Sequence, residues 1–138
     1  MIKIRELLGN ETAQMAKCDQ GYICDVCGEE VEEIIESDLY LRFVIGMLDP
    51  EILHTSAERH ICCHPSLAQF VVDERFSPVV VDGEFDKRKM DEGFVQQREA
   101  LVTRGWQRLH EIAQQDLSIL EYPLPEVCEA LRQQAEQG

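Results

Sequence analysis

Two short stretches constrain this 138-residue chain more than any others: CDVC at 24–27 and HICCH at 60–64. Two cysteines separated by two residues form a tight knuckle in which main-chain N–H groups point at both sulfurs. Gly28, next in sequence, suits that turn because glycine takes a positive φ that other residues resist. One knuckle supplies half of a tetrahedral metal site. If HICCH supplies the rest, a loop in the first quarter of the chain lies against a segment near its midpoint, and few folds meet that demand.

The H-x-x-C spacing inside the second stretch selects His60 and Cys63 as partners for Cys24 and Cys27, with Cys62 and His64 as alternatives. Three sulfurs and one nitrogen in a tetrahedral arrangement favour zinc, one ion per chain, over an iron centre that would use both Cys62 and Cys63. The other two cysteines, Cys18 and Cys128, are solitary, and a solitary cysteine is usually a small buried hydrophobe.

Clustered cysteines point to metal rather than to disulfides when the compartment is reducing. No run reaches the length of a membrane span, and MIKIRELLGNETAQMAK lacks the long apolar stretch of a secretory signal, so a cytoplasmic protein with no membrane association is expected. A redox role for CDVC fits poorly. Asp25, Glu29 and Glu30 surround the thiols with negative charge, which favours the protonated form, whereas a bound cation overcomes that field.

Charge narrows the partners. With 27 acidic against 13 basic side chains the formal charge is −14, which repels a phosphate backbone, and the nearest basic cluster, DKRKMD at 86–91, is flanked by acids. No nucleic acid is expected.

Along the chain, 1–17 reads as a short helical lead-in carrying Ile4, Leu7 and Leu8 on one face. The run at 37–46 alternates Leu39, Leu41, Phe43 and Ile45 and predicts a strand. A second strand at 52–61, with Leu53, Thr55, Ala57 and Ile61 on one side, would pair with it as a hairpin. Pro65 opens a helix predicted to reach Glu74, and 76–85 reads as a short strand or connector ending in a turn at Asp82 and Gly83. The longest periodic stretch, 86–119, places Met90, Phe94, Leu101, Val102, Trp106, Leu109 and Ala113 near one stripe, and a last helix follows YPLP at 122–125.

A knuckle, a hairpin, and a helix whose entrance holds the last ligand resemble the treble-clef zinc fingers over about residues 20–75. The spacing C-x2-C, 32 residues, H-x-x-C is similar to that of the poly(ADP-ribose) polymerase type. The resemblance implies an α+β fold: a treble-clef-like zinc module at 1–75, including its lead-in, and a helical extension at 76–138 packed on it. The DNA-contacting basic surface of that family has no counterpart in this acidic chain.

Four protein ligands close a tetrahedral shell and leave no place for water, so the zinc is expected to be structural and the protein an interaction or regulatory module. The competing reading makes the Cys/His cluster a metal-dependent hydrolase or thiol redox centre, with Glu58 as a nearby base. H-E-x-x-H, a glycine-rich phosphate loop and G-x-S-x-G are all missing, and His54 and His110 stand isolated, so no residue is assigned a catalytic role. A protein partner or self-association is expected. The stripe at 86–119 packs on the zinc module or pairs with its copy in a twofold homodimer, with Trp106, between Arg104 and Arg108, as core residue or anchor.

Overall fold

The computed structural model describes residues 23–137, the side chains of Glu136 and Gln137 excepted. The expected helix at 1–17 and Cys18 lie outside them. Within this range the chain forms helices α1 (Asp38–Val44), α2 (Pro65–Ala68), α3 (Glu92–Ile112) and α4 (Pro125–Gln137), with two short 3-10 turns between α1 and α2 and one in each later connection. There is no strand or sheet among the described residues. Isolated bridges pair Ile23 with Glu30 and Ser37 with His60. The expected α+β class and the β-hairpin of the treble clef are therefore incorrect, and the described fold is helical.

The error at 37–46 has a specific cause. Ser37 caps a helix there, its hydroxyl accepting from the Tyr40 N–H at 3.0 Å, and Asp38 adds a favourable negative charge in the first turn. Leu39, Leu41, Phe43 and Ile45 are buried, but so are Tyr40 and Val44 between them. A short segment buried at nearly every position, with only Arg42 partly exposed over 37–45, has almost no polar face, so its alternation carries little information about period. At 52–61 the expected strand is replaced by a 3-10 turn at Pro50–Ile52, capped by Asp49, and by further turns. Leu53 and Ile61 are buried there, but Thr55 and Ala57 are exposed.

Helix α2 stops at Ala68, short of the predicted Glu74. Branched Val71 and Val72 are weak helix formers, and Thr103 of α3 captures this backbone instead. Its hydroxyl accepts from the Val72 N–H at 2.8 Å and donates to the Phe70 carbonyl at 3.2 Å. Residues 76–85 run as a connector without a ladder, and the turn expected at Asp82 and Gly83 falls slightly later, at Glu84 and Phe85, closed by the Asp86 N–H donating to the Gly83 carbonyl at 3.3 Å, with Gly83 at φ +99°. The predicted helix at 86–119 is shorter. Asp91 caps its start by accepting from the Phe94 N–H at 3.0 Å, and a separate turn forms at Ile119–Glu121.

The core forms where α3 crosses α1. Val102, Trp106, Leu109 and Ile112 join Leu41, Phe43, Val44 and Ile45 in one apolar cluster that draws on both halves of the chain. Gly105 permits the crossing, since a Cβ there would run into Ile45 and press on Leu41. Trp106 is a core residue, 4% exposed, set edge-on to Phe76 with the Arg75 guanidinium 5.0 Å from its ring centre. Helix α4 is tied to this body at its start. The Leu124 N–H donates to the Val44 carbonyl at 3.0 Å, and Arg104 holds Glu126 through two bonds of 2.7 and 2.9 Å. None of the described helices is long and apolar enough to cross a membrane.

Candidate metal centre

The CDVC loop closes as a knuckle. The Gly28 N–H donates to the Cys24 carbonyl at 3.0 Å, the Cys24 N–H donates to the Glu29 carbonyl at 2.8 Å, and Gly28 takes φ +78° to turn the chain. The Val26 N–H points at the Cys24 sulfur, 3.4 Å away.

The second stretch does not pass from strand to helix, as the sequence suggests, but forms a 3-10 turn over Ile61–Cys63 ahead of α2, with His60 as its N-cap. The Cys63 N–H donates to the His60 carbonyl at 3.0 Å. In a 3-10 turn residues three apart eclipse one another, so H-x-x-C aims the imidazole and the thiol the same way.

Backbone and charge dock the two stretches together. The Asp25 N–H donates to the Glu58 carbonyl at 3.0 Å, and the His60 N–H points at the Cys24 sulfur at 3.4 Å. Arg59 grips the Asp25 carboxylate with two bonds of 2.8 and 2.9 Å, the forked geometry that suits guanidinium and carboxylate. One clamp residue lies inside the knuckle and the other beside His60.

The outcome is a cluster in which one donor atom from each of Cys24, Cys27, His60 and Cys63 lies within 4.8 Å of every other. His60 Nδ1 is 3.3 Å from the Cys27 sulfur and 3.9 Å from the Cys63 sulfur. A tetrahedral zinc site with ordinary bond lengths places sulfur and nitrogen about 3.5 Å apart, so the donors stand near ligand separation. His60 Nε2 lies 3.0 Å from the Glu30 carbonyl oxygen. A carbonyl only accepts, so Nε2 carries the proton and Nδ1 offers its lone pair to the cluster.

The thiols are electrically unequal. Burial alone raises Cys24, but the N–H groups of Cys27, His60 and Val26, helped by the His60 side chain, outweigh it and hold the thiol at about 6. Burial and then the neighbouring sulfurs of Cys24 and Cys27 push Cys63 up to about 12. For His60, burial works against the charged ring, and the Cys24 sulfur and Glu30 carbonyl more than offset it, raising its pKa. The sulfurs of Cys24 and Cys27 thus oppose ionisation of Cys63, a repulsion that a bound cation would relieve.

Neither alternative ligand joins the cluster. His64 turns its Nδ1 to Asp38 Oδ1 at 2.8 Å, where Arg42 also reaches the buried carboxylate, and Cys62 is exposed to solvent outside the four. Glu58 is buried, accepting from the Ser37 hydroxyl at 2.8 Å and from the Arg59 N–H at 3.0 Å, and burial pushes it up to about 7. Its carboxyl braces the backbone ahead of His60. His110 bonds the Trp106 carbonyl at 3.0 Å, His54 is exposed, and Cys128 is half-buried with its thiol 3.4 Å from the Pro123 carbonyl. Sequence reasoning missed the Asp25–Arg59 clamp, although opposite charges placed inside or beside both motifs were its visible signal.

Comparison with protein-family models, curated proteins and solved structures returns no match for this chain.

Proposed function

We propose that the chain binds one zinc ion through Cys24, Cys27, His60 and Cys63, that the ion is structural, and that the protein acts as an interaction or regulatory module. The observation that carries this reading is the convergence of three sulfurs and one ring nitrogen within 4.8 Å, from residues up to 39 positions apart (63 − 24 = 39). Soft sulfur with imidazole is the donor set that zinc prefers, and four protein donors leave no coordination position for a substrate or an activated water. A structural role also agrees with burial. Cys24, the thiol with the lowered pKa, is 2% exposed and so shielded from an external disulfide or peroxide.

The test is elemental analysis of the purified protein. About one zinc per chain is expected, falling below about 0.2 in Cys24→Ser and in Cys63→Ser, with Cys62→Ser and His64→Ala retaining it. Full zinc content in Cys63→Ser, or loss in His64→Ala, overturns the ligand set.

A further inference from the structure

Away from the metal centre, α4 leaves an open groove along one side. Its far wall is formed by the turn at Pro50–Ile52 and the turn at Ile119–Glu121, and it encloses about 760 Å3. Cys128, Leu131 and Ala135, spaced i, i+3 and i+7 on α4, line it with Pro50 and Leu120. Leu120 is 64% exposed, a large apolar side chain held in water at the mouth of an apolar trough. Asp49, Glu51 and Glu121 add carboxylates to its lining, and the one base among its described lining residues, Arg132, is paired with Glu129 at 3.4 Å.

We propose that this groove docks a cationic amphipathic helix of a partner protein, with leucine-like anchors in the trough and lysine or arginine against its carboxylates. The inference rests on the reading of the chain as an interaction module and names the kind of partner that module takes. Shape argues for a helix. The stretch from Cys128 to Ala135 runs about 10 Å along α4, two turns of a partner laid alongside, whereas a small molecule is normally enclosed on most sides. Charge selects its sign. Three lining carboxylates on a chain of net charge −14 attract a basic segment, and the same charge opposes a second copy of this chain.

The probe is a fluorescein-labelled peptide of about 14 residues made of leucine and lysine, with leucine at helical spacing, titrated into the zinc-replete full-length protein. Two control peptides accompany it: one of the same composition with the leucine positions scrambled, and one with glutamate in place of lysine. Saturable binding is expected for the first, at least about tenfold weaker for the scrambled peptide and absent for the acidic one, with affinity falling as salt rises. Leu120→Ser and Glu51→Lys should each weaken binding about tenfold with unchanged circular dichroism, and Val80→Ser, equally exposed elsewhere, should leave it unaltered.

Equal binding of ordered and scrambled peptides, or indifference to Leu120→Ser, overturns the proposal. So does a concentration-dependent dimer that Leu120→Ser abolishes, which would assign the groove to a second copy. Tighter peptide binding by Leu7→Ser, which would assign it to the start of the chain itself, has the same effect. Zinc content measured on the same samples separates failure of the groove from failure of the metal site.

Discussion

His60 Nε2 and the carbonyl oxygen of Glu30 lie 3.0 Å apart, and that single bond decides which ring nitrogen of the imidazole is turned to the sulfurs. Glu30 is bridged to Ile23 across the knuckle, so the loop that carries two candidate ligands also orients a third. In the zinc-loaded protein, long-range 1H–15N spectra should show His60 as the Nε2–H tautomer with Nδ1 on the metal. An Nε2-bound ring would mean that the Glu30 contact breaks on loading and that the orientation described is not the working one.

The Asp25–Arg59 clamp should matter more for the metal than for the fold. Both side chains are about a third exposed, so as an ion pair they contribute only about 0.2–1 kcal/mol to stability. As a clasp between the knuckle and His60 they set donor geometry before the ion arrives. Arg59→Ala is expected to weaken zinc affinity about tenfold, read by competition with a chromophoric chelator, with little change in the urea midpoint of the chelated protein. A large drop in that midpoint with unaltered affinity would make the clamp a fold element alone.

Asp38 serves another neighbour of the site. Its carboxylate is fully buried, 2.9 Å from Arg42 Nε and 2.8 Å from His64 Nδ1, and it keeps His64 turned from the sulfurs. Both partners are partly exposed and can recover water, so Asp38→Asn should cost about 1–3 kcal/mol, less than stranding a fully enclosed charge. Chemical denaturation measures that. Zinc content should persist in this variant, and its loss would show that the separation of His64 from the site depends on Asp38 in a way the ligand set does not include.

These residues also show why the site was more legible than the fold. Cys24 with Cys27, and His60 with Cys63, are each brought together by one turn of chain, so covalent spacing alone nearly determines their relation. Asp91 before α3 and Pro125 opening α4 are local signals of the same kind. The hairpin failed because what makes α1 a helix is distant. Leu39, Tyr40, Leu41, Phe43 and Val44 are all covered by other parts of the chain, and a window of ten residues does not contain that cover. His64 was ambiguous for a similar reason, since its partner Asp38 stands 26 positions away. The end of α2 depends on Thr103, further still along the sequence.

The crossing of α1 and α3 offers a sharp packing test at Gly105. In an exposed helix, replacing glycine by alanine gains about 1 kcal/mol. Here the added Cβ would collide with Ile45 Cγ2 and approach Leu41 Cδ1 to 3.1 Å, and the atom in the way is the β-branch of a buried side chain and not a flexible chain end. Overpacking of this kind costs about 1–3 kcal/mol or more, so Gly105→Ala should be net destabilising. A companion Ile45→Val change, which trims the side chain in the way, should recover part of the loss. Thermal melts of the single and double variants decide it, and a stabilised Gly105→Ala would mean that the helices do not approach as closely as described.

Removing the metal should weaken the protein without unfolding it, because the α1–α3 core is built from apolar side chains and the two ligand stretches are also joined by the Asp25–Glu58 backbone hydrogen bond and by the side chains of Arg59 and Asp25. Zinc at about 100 times its dissociation constant adds about 2.7 kcal/mol. For a chain of this size that corresponds to a Tm higher by roughly 5–15 °C than in the presence of chelator. The increment should also depend on pH in a fixed direction. The Cys63 thiol, pushed up to about 12, and the His60 ring, whose pKa is raised, must both give up protons to bind the ion, whereas Cys24, held at about 6, gives up little at neutral pH. Protons and zinc therefore compete, affinity rises with pH, and the gap between zinc-loaded and chelated melting temperatures should shrink steadily from pH 8 to pH 5.5. A gap independent of pH over that range would mean that zinc stabilises the protein through groups other than these thiols and this imidazole.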